Sequence, residues 1–317
     1  MLRLLPAYTP SLLMRTRDPA LLATCHIVVD VGGEYDPSKH RYDHHQRTFD
    51  ATFPARSTKL SSAGLVYLHF GKAIIAQHTK LPEDSPEVHV VWEKVYAEFI
   101  EALDAHDNGI SVYDPAAVAA AGLKKRFANG GVTLGALVGD LNPNWNDVKP
   151  SDPKASQREE DVKFVQASEL MGAAFVRKVA YYASAWLPAR SIVHAVYADR
   201  KKYDRAGRVM VFDQSVPWKD HLYALEAEHP AAEKVLYVLY PESVSPGAKW
   251  RIQAVPVSEG SFESRKALPE AWRGLRDEEL DQAAGVNGCV FIHASGFIGG
   301  NKTWQGVKAL ADKAIEA

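Results

Sequence analysis

Four residues near the start of this chain carry the side-chain atoms that divalent cations prefer. Asp30 closes the β-branched run Ile27-Val28-Val29 and precedes Val31-Gly32-Gly33, and Asp43-His44-His45 sits inside the next polar loop, His40 to Gln46. Carboxylate oxygen together with imidazole nitrogen suits Mn²⁺, Mg²⁺ or Zn²⁺. An acidic residue behind a buried strand is often a turn former, and an isolated His-His pair is often a surface accident. In succession they let the chain loop back so that Asp30 and His44 meet at one sheet edge. Such a cluster beside flexible glycines points to metal-assisted attack on a phosphate ester.

Two further acids stand at the end of an expected helix. Asp104 and Asp107 are spaced i, i+3 and so share one helical face, at the C-terminal end where the helix dipole disfavours carboxylates. A nearby cation would remove that penalty, and the alternative is a solvated helix end. Farther on, His293-Ala294-Ser295-Gly296-Phe297-Ile298-Gly299-Gly300-Asn301-Lys302 reads as a strand end, a glycine loop and a helix start. Backbone N–H groups freed there would form an anion nest. Ser295, Gly296, Gly299 and Gly300 would shape that nest, with His293 and Lys302 adding positive charge. Trp250-Arg251 and Trp272-Arg273 read as packing residues whose Arg251-type tips can also stack on bases or pair with phosphates. Trp145 and Trp218 read as core.

These groups need elements to hold them. Residues 25–31 read as a buried strand. Ser61-Ser62 caps a helix with Leu65, Leu68 and Ile75 on one stripe. A longer helix spans about Pro86 to Asp107, with Val91, Val95, Phe99 and Leu103 at helical spacing, and Asn108-Gly109 ends it. Strands alternating with helices imply a parallel, helix-covered sheet whose ligands gather at the strands' carboxyl ends, where Asp30 falls. The polar segment 142–160 is the linker candidate, followed by helical stretches over about 160–185 and 188–199. Strands at Val209–Phe212, Val235–Tyr240, Trp250–Val255 and Cys289–Ile292, with a last helix from about Thr303, then make a smaller mixed α/β domain. The expected organisation is α/β: a metal-binding domain over 1–145, a linker and connecting helices over 146–200, and a substrate-binding domain over 201–317.

Composition narrows the function. Of 317 residues 46% are hydrophobic and 24% charged, the balance of an ordinary globular chain. Lys plus Arg (37) nearly equals Asp plus Glu (39), so no global positive field draws in nucleic acid, and such a substrate must be held by a local groove. Cys25 and Cys289 cannot build a disulfide framework, and both lie in apolar runs that read as buried strands, which suits a reducing compartment. No apolar run approaches the roughly 18–20 residues needed to span a bilayer. Met1-Leu2-Arg3-Leu4-Leu5-Pro6 is too short for a signal peptide and reads as the last turn of a helix.

With these residues in hand, the chain resembles the MYG (melanocyte-proliferating-gene) family, a branch of the DHH phosphoesterase superfamily. The resemblance rests on blocks in order: Asp30 to Pro37, Arg41 to Gln46, Lys59 to Gly64, Asp104 with Asp107 to Ser111, Leu141-Asn142-Pro143, Ser184 to Arg190, Pro217-Trp218-Lys219, Trp250 to Gln253, Trp272 to Arg276 and His293 to Gly300. It implies a DHH-type metal-binding domain followed by a substrate-binding domain. It also implies a metal-dependent phosphodiesterase, a 3′-to-5′ exonuclease on single-stranded RNA, acting in the nucleus and mitochondria with Mn²⁺ or Mg²⁺. Asp30 would then bridge two ions, His44 and Asp107 would complete the set with Asp104 as a further carboxylate, and Asp43 would orient the imidazoles. His45 would contact the scissile phosphate, and His293 with the glycine loop would hold the phosphate or terminal nucleotide. Family members carry His-x-Gly-x-Phe-His-x-Asp-Glu ahead of the helix ending Leu-Leu-Pro. The expectation is that a chain opening at Met1-Leu2-Arg3 lacks about half the ligands and is impaired, or begins at an alternative methionine. A non-catalytic RNA- or nucleotide-binding protein on the same fold is the alternative, ahead of a small-molecule phosphatase or pyrophosphatase.

Overall fold

A computed structural model describes residues 1–128, 130–148 and 150–317. It has an α/β architecture in two compact units, Met1–Ser184 and Ala185–Ala317. Lys149, inside the expected linker, lies outside the described residues. No helix among those described is long and apolar enough to cross a membrane.

The first unit opens with α1 (Pro19–Thr24), then three two-residue strands, β1 (Val28–Val29), β2 (Tyr35–Asp36) and β3 (Arg41–Tyr42). β3 is central, parallel to β1 and antiparallel to β2. The sheet is therefore mixed and far shorter than a 25–31 strand implies. The cause is local: the Arg41 guanidinium donates to the Cys25 and His26 carbonyls at 3.2 and 3.3 Å, taking acceptors a longer ladder would use. Cys25 is accordingly half-buried beside α1, whereas Cys289 is buried in a strand.

Helices form the body of this unit. α2 (Ser62–Thr79) is capped by Ser61, whose hydroxyl accepts from the Gly64 N–H. α3 (Pro86–Val95), a π-helical turn (Tyr96–Ile100) and α4 (Glu101–Asp107) realise the expected long helix. The turn's extra residue keeps a four-residue repeat on one face. Val88, Trp92, Tyr96, Ile100 and Asp104 are all buried along it, while Phe99 and Leu103 are only half-buried. Phe53 stacks on Tyr96 with ring centroids 3.6 Å apart and lies 4.3 Å from Trp92, and the Tyr67 hydroxyl donates to the Trp92 carbonyl. After α5 (Pro115–Ala120) and α6 (Leu134–Gly139), α7 (Pro153–Tyr181) sets Phe175 edge-on to Tyr67 and so belongs with this unit. Trp145 is 97% exposed and is not a core residue: the short helices around it bury none of their side chains.

The second unit contains α8 (Leu187–Asp199), β4 (Val209–Val211), α9 (Lys219–Glu228), β5 (Tyr237–Pro241), β6 (Trp250–Ala254), α10 (Asp277–Ala284), β7 (Cys289–Ile292), β8 (Ile298–Asn301) and α11 (Trp304–Glu316). Its five strands run β4-β5-β6-β8-β7, with β4 and β5 parallel and the rest antiparallel. One core packs Val209, Leu239, Ile252 and Ile292 against residues of α10 and α11. The other packs Met210, Phe212, Trp218 and Val238 against α8 and α9. Arg251 and Phe291 belong to neither core.

The contact between α2 and α4 sets where the end of α4 lies. A Cβ on Gly64 would fall inside the Asp104 carboxylate. Gly64→Ala, a gain of up to about 1 kcal/mol by helix propensity alone, is therefore expected to cost about 3 kcal/mol instead. Urea denaturation followed by circular dichroism checks the sign.

Candidate metal centre

Backbone geometry at the ends of β1 and β3 places the donors. Asp30 follows β1 in the left-handed region (φ 68°), a conformation that Asp and Asn tolerate better than other side chains do, and its N–H donates to the Tyr42 carbonyl at 3.1 Å. Asp43 follows β3 and is buried. Its Oδ1 accepts from the His44 N–H (2.7 Å), the His45 N–H (3.2 Å) and His45 Nδ1 (2.6 Å), while Oδ2 accepts from the Gly33 N–H (2.7 Å). Burial alone would push this carboxyl up, but the bonds from His45, Gly33 and His44 outweigh it and hold it below the ordinary range. The bond to Asp43 likewise raises the His45 imidazole, against a smaller effect of burial and with help from Asp30 and Asp107. Because His45 Nδ1 donates to Asp43, its Nε2 is left toward solvent. Asp43 thus touches the His45 imidazole and the backbone at Gly33, His44 and His45.

Donor atoms of Asp30, His44 and His45 all lie within 4.8 Å of one another. His44 Nε2 is also 3.1 Å from Asp107 Oδ2 and 3.8 Å from Asp30 Oδ1. The His44 side chain is 6% exposed, yet neither of its ring nitrogens makes a hydrogen bond. Leaving a buried polar group unmet costs about 1–3 kcal/mol, and two carboxylates on one imidazole add mutual repulsion. A divalent cation would relieve both: an imidazole with two carboxylates is a donor set for Mn²⁺ or Zn²⁺ more than for Ca²⁺. The residues present fit a metal.

Asp104 does not join them. Its carboxylate accepts from Ser61 N–H (3.0 Å), Ser61 Oγ (2.6 Å) and the Tyr96 hydroxyl (2.9 Å), and it is fully buried. Burial pushes its carboxyl up despite those bonds. It accepts hydrogen bonds at the α2 N-terminus, where the helix dipole favours a carboxyl group. Its place on the 88-92-96-100-104 stripe is the signal that separates it from Asp107. Phe49 was not anticipated either: its ring meets Tyr35 (5.6 Å between centroids) and His44 (6.3 Å) edge-on and walls the donors on one side.

The second unit corrects the expected glycine loop. Gly299 and Gly300 are in β8, paired to Ile252 and Arg251 of β6, so their N–H groups serve a ladder and no nest opens onto a helix. Glycine is required there because a Cβ on Gly300 would strike the Arg251 guanidinium, which lies across it toward the Phe291 ring (4.7 Å) and pairs with Glu242. His293 to Phe297 form the β7–β8 hairpin turn, with Gly296 at φ 72°. The exposed His293 takes the Ser295 N–H on Nδ1 at 3.1 Å, which leaves Nε2–H as an outward donor. Arg251 thus lies in an interior strand, whereas His293 and Ser295 belong to the β7–β8 turn, beside the Gln253–Ala254 end of β6, and Gly299 and Gly300 act through the space they leave.

A Asp-His-His loop, an acid in a left-handed turn and a helix-end carboxylate form the pattern on which relatives can be compared. The family model MYG1_exonuc, described as "Uncharacterised protein family (UPF0160)", matches residues 1–315. This chain belongs to that family. Its relatives include MYG1 exonuclease of Homo sapiens, 44% identical over 98% of this chain and 80% of that protein. MYG1 protein C694.04c of Schizosaccharomyces pombe is 43% identical over 100% of this chain and 92% of its own. No solved structure matches the chain.

For this member of the MYG1 family the two helix-end acids should separate cleanly. Asp107→Asn is expected to weaken Mn²⁺ binding at least about tenfold with little change in melting temperature. Asp104→Asn should lower stability by about 2 kcal/mol and leave Mn²⁺ affinity of the folded protein near wild type. Titration by electron paramagnetic resonance, beside thermal melts, reads both; equal losses of affinity would return Asp104 to the ligand set.

Proposed function

We propose that this chain is a metal-dependent phosphodiesterase that shortens single-stranded RNA from its 3′ end, with Mn²⁺ as the preferred ion and Mg²⁺ as a substitute. The observation that carries the reading is His44: a desolvated imidazole without a hydrogen bond, 3.1 Å from one carboxylate and 3.8 Å from another. Family membership supports a phosphoester as the substrate, since relatives bear the name exonuclease. Asp30, His44 and Asp107 would hold the cation, which when bound polarises phosphoryl oxygens and lowers the pKa of water. Asp43 keeps the His45 ring oriented so that Nε2 faces the reacting phosphate, where a protonated imidazole donates a charge-assisted hydrogen bond.

In the second unit, Arg251 with Phe291, and separately His293 and Ser295 of the β7–β8 turn, would contact the nucleotide. The exposed part of the Arg251 guanidinium, which pairs with Glu242, would stack on a base, and His293 Nε2–H would donate to a phosphate. This local surface meets the need set by a chain with a formal net charge of −2. Nucleus and mitochondrion are the proposed locations.

The test uses 5′-end-labelled single-stranded RNA with Mn²⁺. A ladder shortening from the 3′ end is expected, abolished by EDTA and slowed at least about a hundredfold by His44→Ala or Asp30→Asn; asparagine is chosen because it tolerates the left-handed φ at position 30. RNA that is bound but left intact would replace hydrolysis with the non-catalytic reading. An equally active His44→Ala would remove the ligand assignment.

A further inference from the structure

A lysine stands at the wall of the donor cluster with no ion pair among the described residues. The Lys59 carbonyl accepts from Asn108 Nδ2 at 2.9 Å, and the same carboxamide donates to the Asp104 carbonyl at 2.8 Å. Asn108 directly follows Asp107, so the Lys59 backbone is clasped to the helix end that presents a candidate ligand. A bridge to Thr52 holds it from the other side. The ammonium lies 5.3 Å from the centroid of the Phe49 ring, the ring that His44 meets edge-on.

Three neighbouring cations are otherwise engaged, whereas Arg47, two residues past His45, is exposed and points to no ring among the described residues. Lys39 pairs with Glu34 and Asp36, and Arg56 with Glu101. Arg41 is spent on backbone carbonyls. Among all of these, Lys59 alone rests on an aromatic face. A ring face attracts an ammonium through its quadrupole and consumes none of its three N–H donors in a directed bond. The charge is kept at a set place with its donors available to an anion. A group that neutralised the acids of the cluster would instead lie against Asp30 or Asp107.

We infer that Lys59 is a phosphate-positioning residue: its ammonium binds a non-bridging oxygen of a phosphoryl group held at the Asp30, His44 and Asp107 centre. The inference rests on the metal-centre reading above and adds a residue to it. It assigns Lys59 to substrate and not to the metal, so the two roles separate experimentally.

The probe is inorganic phosphate, followed by ³¹P line broadening on the Mn²⁺-loaded protein, with Lys59→Met and Lys59→Arg beside wild type. Wild type is expected to bind phosphate only when Mn²⁺ is present. Lys59→Met should weaken phosphate at least about tenfold while Mn²⁺ affinity stays unchanged, and Lys59→Arg should retain most of the binding because the charge is kept. Phosphate bound equally by wild type and Lys59→Met, or not bound by wild type at all, would overturn the inference. RNA shortening run in parallel keeps the two ideas apart. Phosphate binding lost in Lys59→Met while wild type leaves RNA intact supports the role of Lys59 and removes the exonuclease reading. Lys59→Met that shortens RNA with wild-type KM removes Lys59 and leaves the reading in place.

Discussion

The buried carboxylate of Asp43 joins two pieces of backbone that otherwise have little to hold them. It takes an N–H from Gly33, just past the end of β1, and N–H groups from His44, His45 and the His45 ring just past β3. Strands of two residues cannot fix the relative position of their ends through ladder bonds alone. Four donors on one carboxylate do so, and they repay the desolvation of the charge, which is why Asp43 stays ionised in the interior. Asp30 and His44 are neighbours because of this clasp.

The third donor reaches the same place by a different route. Asp107 is carried by α4, and α4 is registered against α2 by Asp104, Ser61 and the absence of a side chain at Gly64. The stacked rings of Phe53 and Tyr96 fix that register, and Tyr96 also donates to Asp104. Two aspartates three residues apart thus do unlike things. One is consumed in holding two helices together, and the other is left half-exposed at a helix end, 3.1 Å from an imidazole. Their shared helical face hid the difference; burial decides it.

Much of this was legible in the residues. The α/β class followed from alternating strands and helices, and the caps at Ser61 and Asn108 marked real helix ends. Donor chemistry brought Asp30 and His44 forward as candidates, and Asp104 and Asp107 together, without telling the two acids apart. What misled was geometry that side-chain type does not encode. A β-branched run predicts strand whatever its partner's length, so the competition from Arg41 for carbonyls was invisible. Glycines between a strand and a helix suggest an anion nest, yet Gly299 and Gly300 serve a central strand and make room for Arg251. Trp145 read as core because it is large and apolar, although the segment around it buries nothing.

The account depends on a cation resting among Asp30, His44 and Asp107. Anomalous diffraction from a crystal of this chain grown with Mn²⁺ tests that most directly. A peak within about 2.3 Å of His44 Nε2 and of oxygens from Asp30 and Asp107 is the expected result. A crystal with Mn²⁺ ordered elsewhere and His44 bound only to water would contradict it.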